Sequence, residues 1–200
     1  MSKAVKRASA VVFDLEFTAW EGSLASRWTR PGERTEVVQI GAVKLDAGGL
    51  AIVDTFEILV QPRLNPVLSD YLVALTSITN EMLAARAVDF IPAYRAFLDF
   101  AGPATIFAFG RDDLIFADNL KLYGCGRAFR APPYRNVIPW FAENGIDLAG
   151  KRACDTPEAV GLAFEGHKHD ALADARGVAR AAIALIARGA PNLFQGEDSK

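Results

Sequence analysis

A strand-like stretch near the start of the chain carries two acids on one face. It reads Val-Val-Phe-Asp-Leu-Glu-Phe-Thr over residues 11–18. Because side chains alternate across a strand, Asp14 and Glu16 lie side by side, opposite the large apolar residues beside them. Neighbouring carboxylates repel each other and are costly to desolvate, and a hard cation such as Mg²⁺ removes the repulsion. The stretch therefore indicates either a metal site or an edge strand whose polar face is solvated.

The composition of the chain restricts its class and its partners. With 200 residues, 51% hydrophobic and 23% charged, it is typical of one globular domain with a substantial core. No apolar run is long enough for a membrane span or a signal peptide, so we expect a cytoplasmic protein with no membrane partner. The net charge of −2 argues against a protein that coats long duplexes. Cys125 and Cys154 lie far apart with no His or Cys at metal-ligand spacing, which argues against a zinc site.

The hydrophobic pattern predicts a mixed α/β domain over residues 11–189, with tails at 1–10 and 190–200. Strands are predicted at 11–17, 36–45, 51–60 and 105–109, with an extended piece at 134–141 whose Pro139 favours the sheet edge. Helices are predicted at 71–88 (with a break near 76–79), at 90–100, at 113–123, from 156 to between 164 and 166, and at 170–188. The first three strands are expected to form a meander with the first strand near the centre of the sheet.

Two later stretches hold acids that core packing does not require. Asp112 and Asp113 stand between a predicted strand and the start of a predicted helix. An acid at a helix start is stabilised as a cap, and this explanation is favoured for Asp112. One cap explains one acid, so Asp113 is left as a candidate site residue. Asp174 lies off the apolar stripe of the last helix, which Asp170 is expected to cap, and His169 directly precedes that helix. Histidine titrates near neutral pH and can take a proton from a water held by a metal. Four acids and one histidine so distributed suit a two-metal phosphodiesterase.

A long loop over residues 19–34 mixes aromatic and basic side chains. Trp20 and Trp28 stand in it together with several arginines. Such residues beside a carboxylate pair can stack on a base or contact a phosphate. For each tryptophan singly, the interpretation that it covers the core is favoured.

These motifs resemble those of the DEDDh 3′–5′ exonucleases in the DnaQ-like, ribonuclease H-like superfamily. The first family motif, Asp-x-Glu on an apolar strand, corresponds to residues 13–18, and the second family strand corresponds to residues 36–43. The middle motif places Asp three residues before Phe, as in Asp113 and Phe116, and the third, His-x-Ala-x-x-Asp-Ala, is matched in full by residues 169–175. The Leu-Thr-Ser-Ile-Thr segment at 75–79 is similar to one in a subgroup close to the histone-mRNA exonuclease and the KapD proteins.

The resemblance implies a ribonuclease H-like fold, with a mixed five-stranded sheet flanked by helices, and a metal-dependent 3′–5′ exonuclease. Its partner would be the single-stranded 3′ end of RNA or DNA, released as nucleoside 5′-monophosphates, and a homodimer is compatible with it. His169 would deprotonate the attacking water. The ligands of two Mg²⁺ or Mn²⁺ ions would be Asp14, Glu16, Asp113 and Asp174, with the choice between Asp112 and Asp113 left open. Contacts to the terminal nucleotide would come from Phe17, Thr18, Leu75, Thr76 and Ile78.

Two other functions fit the same motifs. One is a catalytically silent nucleic-acid-binding module of this fold, against which the intact His169 and Asp174 argue. The other is a hydrolase of small phosphodiesters such as dinucleotides, which activity as a function of oligonucleotide length would separate from an exonuclease. The fold alone does not decide between them.

Overall fold

A mixed five-stranded sheet forms the centre of the computed structural model, which describes residues 9–126 and 128–195. The strands are β1 Ser9–Phe17, β2 Val37–Asp46, β3 Ala51–Leu59, β4 Thr105–Ala108 and β5 Tyr134–Asn136. The spatial order is β3-β2-β1-β4-β5. Strand β2 runs antiparallel to both β1 and β3, whereas β4 and β5 run parallel to β1. The predicted meander, the central position of the first strand and the ribonuclease H-like fold class are confirmed.

Helices cover both faces of this sheet. They are α1 Ser23–Ser26, α2 Asp70–Thr76, α3 Asn80–Arg86, α4 Phe90–Ala101, α5 Asp112–Leu122, α6 Ile138–Glu143, α7 Thr156–Ala159 and α8 Ala171–Ala187. An aromatic cluster from α4 and α5 fills one face, and alanine-rich α8 packs on the other. The break predicted near 76–79 separates α2 from α3. No helix among the described residues is long and apolar enough to cross a membrane.

The alternation along β1 explains where its acids lie. On one face Phe13 packs with Phe97 and Phe116, at ring-centroid distances of 5.3 and 5.4 Å. On the other face Val12 belongs to the core cluster that includes the alanines of α8. Asp14 and Glu16 continue that second face toward the end of the strand. The central strand therefore delivers both carboxylates to the side of the sheet on which α8 begins.

The start of α8 is held tightly against β2. A Cβ atom added at Gly41 would lie 2.1 Å from the backbone nitrogen of Leu172, so only glycine permits this approach. The side chain of Gln39 accepts a hydrogen bond from the Ala171 amide (3.0 Å) and donates one to the Asp170 carboxylate (3.2 Å). Asp170 caps the helix by accepting from the Ala173 amide at 2.8 Å, as predicted.

Two predicted elements differ in the structure. The extended piece predicted at 134–141 is the short edge strand β5 followed by α6, because Pro139 lies in the first turn of that helix, where its missing N–H costs nothing. The helix predicted to reach 164–166 ends at Ala159. The chain turns there through Gly161, whose φ of 78° belongs to the left-handed region, and the Leu162 amide bonds to the Pro157 carbonyl.

Residues 190–195, the described part of the tail predicted for 190–200, pack on the core. Leu193 and Phe194 are buried, and the Phe194 ring meets Phe107 at 5.4 Å. The Asn192 side chain donates to the Ala47 carbonyl and accepts from the Phe194 amide, both at 2.9 Å, which fixes the turn after Pro191. Residues 1–8 and 196–200 lie outside the described part of the chain.

Candidate active site

An open cavity of ≈ 550 Å³ lies at the end of β1 and the start of α8. Its acidic side consists of Asp14, Glu16, Asp112 and Asp174, with His169 beside them. The same cavity is lined by the apolar side chains of Phe17, Trp20, Leu24, Trp28, Tyr71, Leu72 and Leu75, which form its apolar wall. A third side comes from the loop Gly150–Ala153, which contributes Lys151 and Arg152. One cavity therefore combines an acidic cluster with an apolar wall and two basic side chains.

Three of the four acids of this cavity lie close together and are buried. Carboxylate oxygens of Asp14, Glu16 and Asp174 all lie within 4.8 Å of one another, and these residues are 9%, 7% and 2% exposed. Burial first, and then the neighbouring acids, raises the pKa of Asp14 and of Glu16 well above the usual range. Burial also raises the pKa of Asp112 to about 8 and that of Asp174 to about 7. Without a cation, the fold holds these carboxyls at a high electrostatic cost.

Two oxygen atoms of the cluster lack hydrogen-bond partners. Among the described residues, Asp112 Oδ2 and Asp174 Oδ1 are buried and accept no hydrogen bond. A buried acceptor without a partner is destabilising, and such groups are rare in folded proteins. Carboxylate oxygens are the ligands that Mg²⁺ and Mn²⁺ prefer. The residues present therefore fit a divalent metal centre, as the acid pair on β1 predicted.

The structure brings Asp112 rather than Asp113 to the cluster. Asp113 forms a two-point ion pair with Arg111, with Nε–Oδ1 and Nη2–Oδ2 distances of 2.8 and 2.9 Å, and does not line the cavity. Asp112 lines it, and its charge raises the pKa of both Asp14 and Glu16. The expectation that Asp112 caps α5 is wrong, because the helix begins at Asp112 and Arg111 occupies the cap position. The sequence held one indication that Asp113 is used elsewhere, because Arg111, a possible ion-pair partner, stands two residues before it.

His169 stands between an acid and an arginine. Its Nδ1 lies 4.0 Å from Glu16 Oε1, and its Nε2 lies 2.9 Å from Arg152 Nη1. A guanidinium only donates hydrogen bonds, so Nε2 accepts here and the ring proton sits on Nδ1. Burial, followed by the charge of Arg152, lowers the pKa of His169. The site therefore holds this histidine as a neutral imidazole, the form a general base requires.

The residues predicted to contact substrate divide into two groups. Phe17 and Leu75 line the cavity, which is where the predicted contacts to a terminal nucleotide would place them. Thr18, Thr76 and Ile78 do not, and all three are buried. Their polar groups are used within the fold: Thr18 donates to the Arg34 carbonyl, and Thr76 donates to the Leu72 carbonyl (2.9 Å) while accepting from the Ile78 amide (3.1 Å). These three residues therefore support the fold rather than line the cavity.

Several cavity residues were not identified from the sequence as site residues. Trp28 donates from Nε1 to the Thr18 carbonyl at 2.8 Å and packs its ring 5.4 Å from that of Phe17, so it both covers the core and supports the apolar wall. Tyr71 joins that wall from the start of α2. Arg152 comes from an irregular loop far from His169 in sequence, and no local pattern pointed to it.

Solved structures with the same fold are nucleases. The nuclease domain of 3′hExo, a DEDDh family member bound to rAMP, superposes with a TM-score of 0.78 at 21% identity, covering 96% of this chain and 98% of that one. A 3′-exonuclease that recognises the histone mRNA stem-loop at its 3′ end gives 0.77 at 21% identity, over 92% and 84% of the two chains. Exonuclease I of E. coli in complex with ssDNA gives 0.68 at 17% identity, over 94% of this chain and 42% of that one.

Sequence comparison places the chain in a family. No protein with a curated description matches it. A family model described as Exonuclease (RNase T) matches residues 11–182, which include β1, α5 and the start of α8. Because this match spans most of the 200 residues, the chain belongs to the Exonuclease family and is a hydrolytic nuclease.

Proposed function

We propose that this protein is a metal-dependent 3′–5′ exonuclease that removes nucleoside 5′-monophosphates from single-stranded RNA or DNA ends. The observation that carries the proposal is the meeting of Asp14, Glu16, Asp112 and Asp174 with a neutral His169 in one cavity. The apolar wall of the same cavity, with its aromatic side chains, is suited to unpaired bases. The net charge of −2 favours short single-stranded ends over long duplex.

The four acids would hold two divalent ions, Mg²⁺ or Mn²⁺. Bound there, such ions make water a stronger acid and offset the negative charge that develops on the leaving oxygen. The chain prepares this site by keeping carboxylate oxygens, among them Asp112 Oδ2 and Asp174 Oδ1, free of hydrogen bonds among the described residues. The high pKa of each acid in the metal-free protein reflects the same arrangement.

His169 would accept the proton of the attacking water at Nε2. In the structure this nitrogen is engaged by Arg152 at 2.9 Å. Arg152 is exposed and lines the cavity, so its guanidinium can turn to a phosphate of the bound strand, which it matches as a planar two-point donor. Substrate binding would then free the lone pair of Nε2 to accept the proton of the attacking water. Arg152 is thus the residue that would link phosphate binding to the base.

The apolar wall would hold the terminal base. Phe17, Trp20, Tyr71 and Leu75 line the same cavity as the acids. Stacking on aromatic side chains tolerates every base, because each has a π-face. One similar 3′-exonuclease recognises the 3′ end of the histone mRNA stem-loop, and exonuclease I of E. coli forms a complex with ssDNA, which supports RNA and DNA ends as candidate substrates here.

The proposal is tested by identifying products across a length series. Single-stranded oligonucleotides, from dinucleotides upward, are incubated with Mn²⁺, Mg²⁺ or EDTA, and the products are separated by chromatography. We expect nucleoside 5′-monophosphates, formed faster from longer strands, no reaction in EDTA, and loss of activity in Asp174→Asn. Asp118→Asn is the matched control, because Asp118 lies on the surface in an ion pair with Lys121. Activity confined to dinucleotides would show a small-phosphodiester hydrolase, and binding without turnover would show a silent module.

A further inference from the structure

A soft ligand lies beside the acidic cluster. Cys154 occupies the 3-10 turn Ala153–Asp155 and is 2% exposed. Its Sγ, a ring nitrogen of His169 and a carboxylate oxygen of Asp174 all lie within 4.8 Å of one another. The sequence argued against a zinc site because no His or Cys stands near Cys154 along the chain. The fold overturns that argument by bringing the turn against the start of α8.

The three side chains have the character of an incomplete metal site. Asp174 is 2% exposed, and its Oδ1 accepts no hydrogen bond from any described residue. Among the described residues, the only hydrogen bond of the Cys154 thiol is a long contact of 3.9 Å to Asp155 Oδ1. Thiolate, imidazole and carboxylate together are a zinc-type donor set, whereas Mg²⁺ takes oxygen ligands. Tetrahedral zinc keeps its ligand atoms about 3.5 Å apart, so no two of these ligand atoms need to approach by more than about 1.3 Å.

We propose that Cys154, His169 and Asp174 form an inhibitory site for a thiophilic divalent cation such as Zn²⁺. His169 and Asp174 line the cavity and Cys154 does not, so the ion would enter through the cavity and meet the thiol last. Binding displaces the thiol proton to solvent, water completes the tetrahedron, and the exposed Arg152 turns away from His169. The ion removes the base and one acid from hydrolysis at once. This effect on activity rests on the proposed nuclease function, whereas binding does not.

Cobalt reports thiolate ligation directly. Metal-free protein is titrated with Co²⁺, which gives a thiolate-to-cobalt charge-transfer band in the near ultraviolet when a cysteine is a ligand. We expect the band in the wild type and in Cys125→Ser, the matched control, since Cys125 does not line the cavity. We expect no band in Cys154→Ser or Cys154→Ala, and loss of the wild-type band when Zn²⁺ is added. No band in folded wild-type protein, or a band that survives both Cys154 substitutions, overturns the proposal.

Inhibition is measured separately, with oligonucleotide hydrolysis in saturating Mg²⁺. We expect Zn²⁺ to inhibit the wild type and Cys125→Ser equally. We expect Cys154→Ser to need a Zn²⁺ concentration at least about 10-fold higher for the same inhibition. Equal inhibition of Cys154→Ser and wild type would overturn the inhibitory role. Should the protein hydrolyse nothing, the nuclease proposal fails, and the cobalt titration still decides whether the metal site exists.

Discussion

Two adjacent aspartates at the start of α5 have different surroundings. Consecutive residues of a helix point about 100° apart, so one of the two can face the sheet while the other faces solvent. Asp112 lies in the cavity with the acids of β1, and Asp113 is paired with Arg111. The helix phase therefore selects the acid that joins the cluster.

Substituting each aspartate in turn tests this selection. Loss of an outer-shell partner costs about 10- to 100-fold in metal affinity or activity, so loss of a ligand is expected to cost about 100-fold or more. We predict that Asp112→Asn lowers kcat/KM to that extent in Mn²⁺, while Asp113→Asn changes it by less than about 3-fold, since it removes only a surface ion pair. Above about pH 8, where Asp112 is ionised, Asp112→Asn should also raise the melting temperature of the metal-free protein, because it removes a repelling charge. The reverse ranking of the two variants would contradict the assignment.

Arg152 is expected to act on the substrate rather than on the fold. A hydrogen bond to a charged group contributes about 1.5–3 kcal/mol, or roughly 10- to 150-fold. We predict a loss of kcat/KM in that range for Arg152→Ala and a partial recovery for Arg152→Lys, which keeps the charge and loses the planar fork. Arg180→Ala, which loses a surface ion pair with Glu165, is the control and should keep full activity. An unchanged kcat/KM in Arg152→Ala, measured on a single-stranded oligonucleotide, would remove Arg152 from the site.

At the level of elements, the contact between β2 and the start of α8 positions half of the site. Gly41 lets the helix backbone approach, and Gln39 bonds to both Asp170 and Ala171. His169 and Asp174 flank this anchored first turn. Any shift of the helix start therefore moves the histidine and one acid together, relative to the acids on β1.

The glycine at this contact offers a direct test. Gly41→Ala places a methyl group against helix backbone that cannot rotate away, which we expect to destabilise the protein by about 1–3 kcal/mol and to lower kcat. Gly48→Ala is the control, because its added Cβ would meet only an Asp46 side-chain oxygen at an ordinary 3.6 Å. Denaturant unfolding and turnover rates measured on both variants check the prediction. Wild-type stability and activity in Gly41→Ala would contradict the close approach.

The sequence pattern predicted those elements and site residues that are determined by residues nearby in the chain. The alternation of β1, the cap of α8 and the acids at Asp14, Glu16 and Asp174 could all be identified from neighbouring residues. The packing of residues 190–195 and the early end of α7 depend on tertiary contacts, and periodicity does not encode them. Cys154 and Arg152 belong to the site only because a loop and a short turn are folded against α8. To choose Asp112 over Asp113, one must know which of the two side chains α5 turns toward the cavity, and the sequence pattern does not give this.

Across the whole molecule, the acidic cluster should make metal-free stability depend on pH. Unfolded aspartates titrate near pH 4, whereas in the folded state the pKa of Asp174 is about 7 and that of Asp112 about 8. The folded state thus binds protons more tightly, and the stability this provides is present below the unfolded pKa and is lost as pH rises through the folded values.

We therefore predict that the melting temperature of the metal-free protein falls between about pH 5 and about pH 8.5. Added Mn²⁺ should raise the melting temperature more at the upper end of this range, where the carboxylates are ionised. The double variant Asp112→Asn/Asp174→Asn should show a flatter profile. Calorimetry in EDTA and in Mn²⁺ makes the comparison, and a metal-free melting temperature that rises across this range would contradict it.

The most direct test of the central claim, that the acidic cavity removes nucleotides from a 3′ end, follows 5′-labelled single-stranded oligonucleotides on a denaturing gel. Each oligonucleotide is prepared with a free 3′-hydroxyl and with a blocked 3′ end, and is incubated with wild-type protein and Asp14→Ala in Mn²⁺ or EDTA. The account predicts a ladder that shortens from the free 3′ end and is absent in EDTA, in Asp14→Ala and on the blocked strand. Intact strands with folded wild-type protein, or internal cleavage that ignores the block, would contradict it.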